Sequence, residues 1–85
     1  MLTMVHKVKD ENGIHARPAG LLATECKNYS SEIIIEKDGK KANARKIFEV
    51  MSLCVKNGEE ITISINGEDE AKAFDALAIF LEKNL

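Results

Sequence analysis

Four glycine-containing pairs, Asn12-Gly13, Asp38-Gly39, Asn57-Gly58 and Asn66-Gly67, cut the chain into stretches that hold one or two secondary-structure elements each. Glycine tolerates positive φ, and the short polar neighbour can bond its own backbone, so each pair marks a turn. A total of 85 residues leaves room for one core and one domain, residues 1–85. No internal repeat and no low-complexity tract interrupts it.

Between the turns two periodicities alternate. Leu2, Met4, His6 and Val8 share one face of a strand, and Ile61, Ile63 and Ile65 share one face of another, with Thr62 and Ser64 opposite. Glu32 to Glu36 forms a third strand, which passes through Lys37-Asp38-Gly39-Lys40 into a short polar one near Lys41 to Ala44. Asp-Gly at a two-residue connection makes that pair an antiparallel hairpin.

Helical spacing takes over in three places. Ala19, Leu22, Ala23 and Cys26 line one face of a helix starting near Ala16. Ile47, Val50, Met51 and Cys54 do the same in a short helix, and Ala71, Phe74, Leu77, Ala78 and Leu81 in the last one, whose first residues Glu68, Asp69 and Glu70 suit the positive end of its dipole. The order β-α-β-β-α-β-α with alternating strands predicts an α+β two-layer sandwich, its sheet covered by helices on one face and wet on the other.

Charge and targeting signals narrow the function. With 12 Lys and Arg against 14 Asp and Glu the net charge is −2, which offers no electrostatic footprint for nucleic acid. The start, Met1 to Lys7, has no basic leader followed by an apolar stretch, and no apolar run is long enough to span a bilayer. Cys26 and Cys54 form neither a disulfide framework nor a clustered zinc site, so a reducing cytoplasmic compartment is expected, with no metal and no cofactor. His6, in phase with Met4 and Val8, reads as a half-buried strand residue, and Tyr29 as packing at the end of the first helix.

Chemistry concentrates in Asn12-Gly13-Ile14-His15-Ala16-Arg17-Pro18-Ala19. A turn delivers His15 to the start of a helix, where Pro18 is acceptable because first-turn N–H groups have no intrahelical partner. Free N–H groups from Ala16 and Arg17, a positive dipole end and the Arg17 guanidinium then surround the imidazole. Those are the requirements of a group that accepts a phosphoryl. The same field favours a neutral ring with a lone pair available as nucleophile.

Gly13-Ile14-His15-Ala16-Arg17-Pro18-Ala19 resembles the active-site signature of the HPr phosphocarriers of the bacterial phosphoenolpyruvate-dependent sugar phosphotransferase system. Ile47 to Val55 is similar to that family's second signature, and the resemblance runs end to end. It implies a four-stranded antiparallel sheet in the order 1-4-2-3 with three helices on one face. It also implies a relay in which enzyme I phosphorylates Nδ1 of His15, and His15 passes the phosphoryl group to an enzyme IIA domain of a sugar permease. Arg17 would neutralise the phosphoryl charge, and the backbone of Ala16 and Arg17 would bind it. Gly20, Ile47, Phe48 and Met51 would dock both partners, and the family's small size implies a monomer.

Departures from the family pattern are informative. Many relatives from Gram-positive bacteria carry a kinase-modified serine just before the second signature, and Lys46 stands at that place, without a hydroxyl. Glu49 and Cys54 occupy positions where the family usually has glycine. Without the second glycine the short helix is expected to continue through Cys54 into Val55-Lys56 and to end at Asn57-Gly58. Failing that, Cys54 would be a buried small hydrophobe. Arg17, Arg45 and Lys46 are expected to lie near one another and raise the positive potential that faces acidic partners. Two other functions would use the same fold: a regulatory module that docks partners without carrying phosphate, which the presence of both His15 and Arg17 disfavours, and a small anion-binding domain.

Overall fold

A computed structural model describes residues 1–85. The elements run β1 (Leu2–Lys7), α1 (Ala16–Cys26), β2 (Glu32–Lys37), β3 (Lys40–Asn43), α2 (Ile47–Ser52), β4 (Glu60–Asn66) and α3 (Glu70–Asn84). All four strands are antiparallel to their neighbours in the order β1-β4-β2-β3. The expected α+β sandwich and its sheet order are what the chain adopts.

Register explains why the inner face is apolar. Met4 lies opposite Ile63, Ile63 opposite Ile35, and Ile35 opposite Ala42, so one row crosses the whole sheet on the core side. A period of two puts Thr3, Val5, Glu36, Thr62 and Ser64 on the other face, where they remain partly or fully exposed. Ile33, Ile35, Ile61, Ile63 and Ile65 are buried almost completely, and burying each such side chain stabilises by about 1.5–3 kcal/mol. The β2–β3 turn has Asp38 at φ 51° and Gly39 at φ 82°, the pair of left-handed residues that a two-residue hairpin requires.

The first helix buries Pro18, Ala19, Leu22, Ala23 and Cys26, the predicted face with Pro18 added. In α3 the stripe is displaced. Ala73, Leu77 and Leu81 are buried, Phe74 is half-buried, and Ala71 is exposed. The buried ridge climbs in steps of four, continued by buried Leu85, and Ala71 falls off its edge.

The second helix corrects the sequence expectation. It ends at Ser52 and does not reach Val55-Lys56. The N–H groups of Leu53 and Cys54 donate to Val50 and Met51, tightening the last turn, and Cys54 then takes a φ of 52°. Cys54 thus adopts the left-handed conformation that a terminal glycine would, and its side chain is exposed rather than buried. Tertiary hydrogen bonds draw the chain out of the helix. Val55 is buried with its carbonyl accepting the Ile14 N–H, and Lys37 Nζ donates to the Cys54 carbonyl at 3.0 Å.

Candidate functional site

The loop before α1 is built to present His15. Gly13, at φ 66°, lies against the β4 side of the loop so closely that a β-carbon would stand 2.1 Å from the Val55 carbonyl oxygen. Its N–H donates to Asp10 O, the next N–H (Ile14) donates to Val55 O, and Ile14 is buried. Asn57 Nδ2 donates to the carbonyls of Lys9 and Asp10, while the N–H groups of Lys9 and Asp10 donate to the main-chain oxygen of Leu85. Two separate stretches of chain, Val55 to Asn57 and the C-terminal Leu85, therefore clamp the segment that carries the imidazole.

His15 is the N-cap residue of α1, with extended backbone and no side-chain cap hydrogen bond, so its ring is free for other work. Its carbonyl accepts the Ala19 N–H. The Ala16 and Arg17 N–H groups donate to nothing in the chain, and Pro18 has none to donate. Two amides at the helix end are thus left without an intrachain acceptor. The ring is 39% exposed, and the exposed Arg17 makes no ion pair. No surface depression includes His15; the depressions lie on the wet face of the sheet and between α1 and α3.

The sequence motif surrounds the imidazole with positive groups only, and the structure adds a negative one. Asp10 Oδ1 lies 3.8 Å from His15 Nε2, and it also accepts the Asn12 N–H at 2.9 Å. The signal was available: an acid two residues before Asn12 can close a turn onto it, and Asn12-Gly13 then folds the chain back.

Beside the histidine, α1 meets α2. A β-carbon on Gly20 would sit 3.9 Å from Ile47 Cδ1; Ile47 is 38% exposed, and the chain neighbours of the two residues, Leu21 (39%) and Phe48 (84%), are exposed as well. Met51 is half-buried against the core and contributes only an edge. Leu21 belongs with the patch and was overlooked, although its place off the buried face of α1 marked it as exposed.

Arg45 does not join Arg17. Its guanidinium donates to the carbonyls of Tyr29 and Ser31, the latter at 2.8 Å, just beyond the C-terminal end of α1. Arg17 stands at the opposite end of a helix about 16 Å long. Of the expected basic group only Lys46 is left at the start of α2, exposed, with Nζ 3.6 Å from Glu49. Glu49, where the family usually has glycine, accepts the Asn43 N–H at 3.0 Å and so ties α2 to the end of β3. The two cysteines are free: Cys26 is buried, its thiol pushed up to about 12 by burial, and Cys54 lies at the surface.

Residues 3–83 match the PTS-HPr family, described as the PTS HPr component phosphorylation site. The chain belongs to the HPr family. Among its relatives is the HPr-like protein Crh of Halalkalibacterium halodurans, 48% identical over 77 residues that cover 91% of this chain and 92% of that one. Another is the phosphocarrier protein HPr of Mycoplasma genitalium, 41% identical over 91% of this chain and 89% of that one. Among solved structures, HPr-C-His from Thermoanaerobacter tengcongensis superposes with a TM-score of 0.93 at 39% identity, covering 99% of this chain and 94% of the other. Crh of Bacillus subtilis, solved as a swapped dimer, superposes at 0.78 with 39% identity over 100% and 98% of the two chains. That HPr relative assembles as a pair, so family membership alone does not carry the monomer expectation. No helix is long and apolar enough to cross a membrane.

Proposed function

We propose that this single HPr-like domain is a cytoplasmic phosphocarrier that accepts a phosphoryl group from phosphorylated enzyme I on His15 and donates it to enzyme IIA of a sugar permease. The observation that carries the reading is the half-exposed His15 at the start of α1, beside two unpartnered amides and an unpaired Arg17. In the accepting step the Nδ1 lone pair attacks phosphorus, and the donor's phosphorus–nitrogen bond breaks, its electrons returning to the donor nitrogen. Charge on the phosphoryl oxygens is met by the amides of Ala16 and Arg17 and by the Arg17 guanidinium, which is where electrostatic positioning contributes most to such transfers. In the donating step the new bond breaks in the same sense, and His15 returns unchanged. The chain is thus a carrier rather than a catalyst, and its partners complete each active site.

Docking falls to Gly20, Ile47, Phe48 and Met51, joined by Leu21. An exposed apolar patch beside a charged rim is the composition of a transient interface. Lys46 removes the serine-kinase switch, so peptide mass spectrometry should find no phosphate at that position. The relay is tested with phosphoenolpyruvate, enzyme I and enzyme IIA: phosphoryl transfer to enzyme IIA that depends on this chain supports it. Absence of transfer, with the same enzymes competent toward another HPr, overturns it.

A mainly regulatory, partner-binding role is the second reading, favoured by the 48% identity to a protein named HPr-like Crh. It predicts partner binding that survives His15→Ala and no phosphoryl transfer to enzyme IIA.

A further inference from the structure

Resting on the reading of His15 as the phosphoryl acceptor, we propose that Asp10 is a positioning residue that holds the Nε2 proton of His15 and so leaves Nδ1 as the reacting nitrogen. The geometry begins with the carboxylate. Asp10 Oδ1 accepts the Asn12 N–H at 2.9 Å, and the Asp10 main chain is fixed on both sides, its N–H on Leu85 and its carbonyl on Gly13 N–H and Asn57 Nδ2. That same oxygen lies 3.8 Å from Nε2. The distance is longer than a hydrogen bond, but such contacts in unliganded sites often tighten only in the reacting complex.

Which imidazole nitrogen carries the proton is set by the partner of the other nitrogen. With a carboxylate facing Nε2, the neutral ring keeps its hydrogen there and its lone pair on Nδ1. No side chain or backbone group in the structure bonds Nδ1. When Nδ1 forms its bond to phosphorus, Nε2 keeps its hydrogen and the ring acquires a positive charge, which the Asp10 carboxylate opposes directly. When the phosphoryl group departs, the electron pair returns to Nδ1 and the Nε2 hydrogen has not moved. Neither step then needs a proton from solvent.

The test combines nitrogen-15 NMR of the His15 side chain with transfer kinetics, in the wild type and in Asp10→Asn. Asparagine keeps an oxygen for the Asn12 N–H, so the loop is retained, and unchanged backbone amide shifts outside the loop check that it is. At a pH where the ring is neutral, the wild type should show the Nε2–H tautomer alone. Asp10→Asn should show a mixture and a phosphoryl transfer rate lower by on the order of tenfold, the lower end of what losing an imidazole-orienting partner costs. An unchanged tautomer overturns the proposal, whether or not the rate falls, and so does a changed tautomer with an unchanged rate. If enzyme I does not phosphorylate the wild type, the reading of His15 as acceptor fails instead, and the spectrum still decides whether Asp10 orients the ring.

Discussion

Gly13 and Val55 approach so closely that the glycine's missing side chain is a structural requirement: a β-carbon there would lie 2.1 Å from the Val55 carbonyl oxygen. The contact joins the loop that presents His15 to the segment leaving α2, through the Ile14 N–H bond to Val55. Gly13→Ala adds both that clash and a strained positive φ of 66°. It should cost about 3 kcal/mol or more in urea unfolding. It should also slow phosphorylation of whatever folded protein remains.

Cys54→Gly should do the reverse. The cysteine holds φ 52°, a conformation that costs a side-chain-bearing residue about 1–2 kcal/mol. Part of that gain is lost to the greater freedom of glycine in the unfolded chain, leaving about 1 kcal/mol. For a domain of this size such a gain raises Tm by roughly 4–8 °C, measurable by thermal unfolding. An unchanged or lower Tm would mean that the Cys54 side chain stabilises the turn in some further way.

Arg45 separates a structural from an electrostatic role. Its guanidinium is committed to the carbonyls of Tyr29 and Ser31. Arg45→Ala should therefore lower stability by about 2 kcal/mol, since charge-assisted bonds to partly buried carbonyls are lost. Transfer from enzyme I should be unaffected under conditions where the variant is folded. A large drop in association rate with little loss of stability would return Arg45 to the docking surface.

Acid stability should depend on Asp69. The Ser31 hydroxyl, followed by the Ser30 N–H, holds its carboxyl down at about 2, below its ordinary value of 3.8. A depressed folded value means that the group's contribution is fully present above the unfolded value and is lost as pH falls toward 2. Asp69→Asn should accordingly lower Tm at pH 6 and flatten the fall in Tm between pH 4 and pH 2. Parallel curves for the two proteins across that range would contradict the assignment.

The layers of the fold and the histidine loop were legible because local rules governed them. Alternating Ile61, Ile63 and Ile65 and the Asp38-Gly39 turn leave little choice of structure. His15 falls at a helix start because Gly13 and Pro18 bracket it. The sheet order was not legible from periodicity, since nothing local pairs β1 with β4 across more than fifty intervening positions; it came from family resemblance. The end of α2 departs from its sequence pattern for a related reason. Helical spacing continues through Cys54, but bonds from Ile14 to Val55 and from Lys37 to Cys54 override it. Arg45 was misplaced because charge sequence says nothing of which carbonyls a long side chain will find. Asp10 was missed because its meeting with His15 depends on how the intervening turn is closed.

The central claim is that His15 carries a phosphoryl group, and intact-mass analysis after incubation with phosphoenolpyruvate and enzyme I tests it most directly. The wild type should gain one phosphoryl group that is lost in mild acid and stable in base, and His15→Ala should gain none. A wild type that remains unmodified while the same enzyme I phosphorylates another HPr, or a phosphate that persists in the His15→Ala protein, would contradict it.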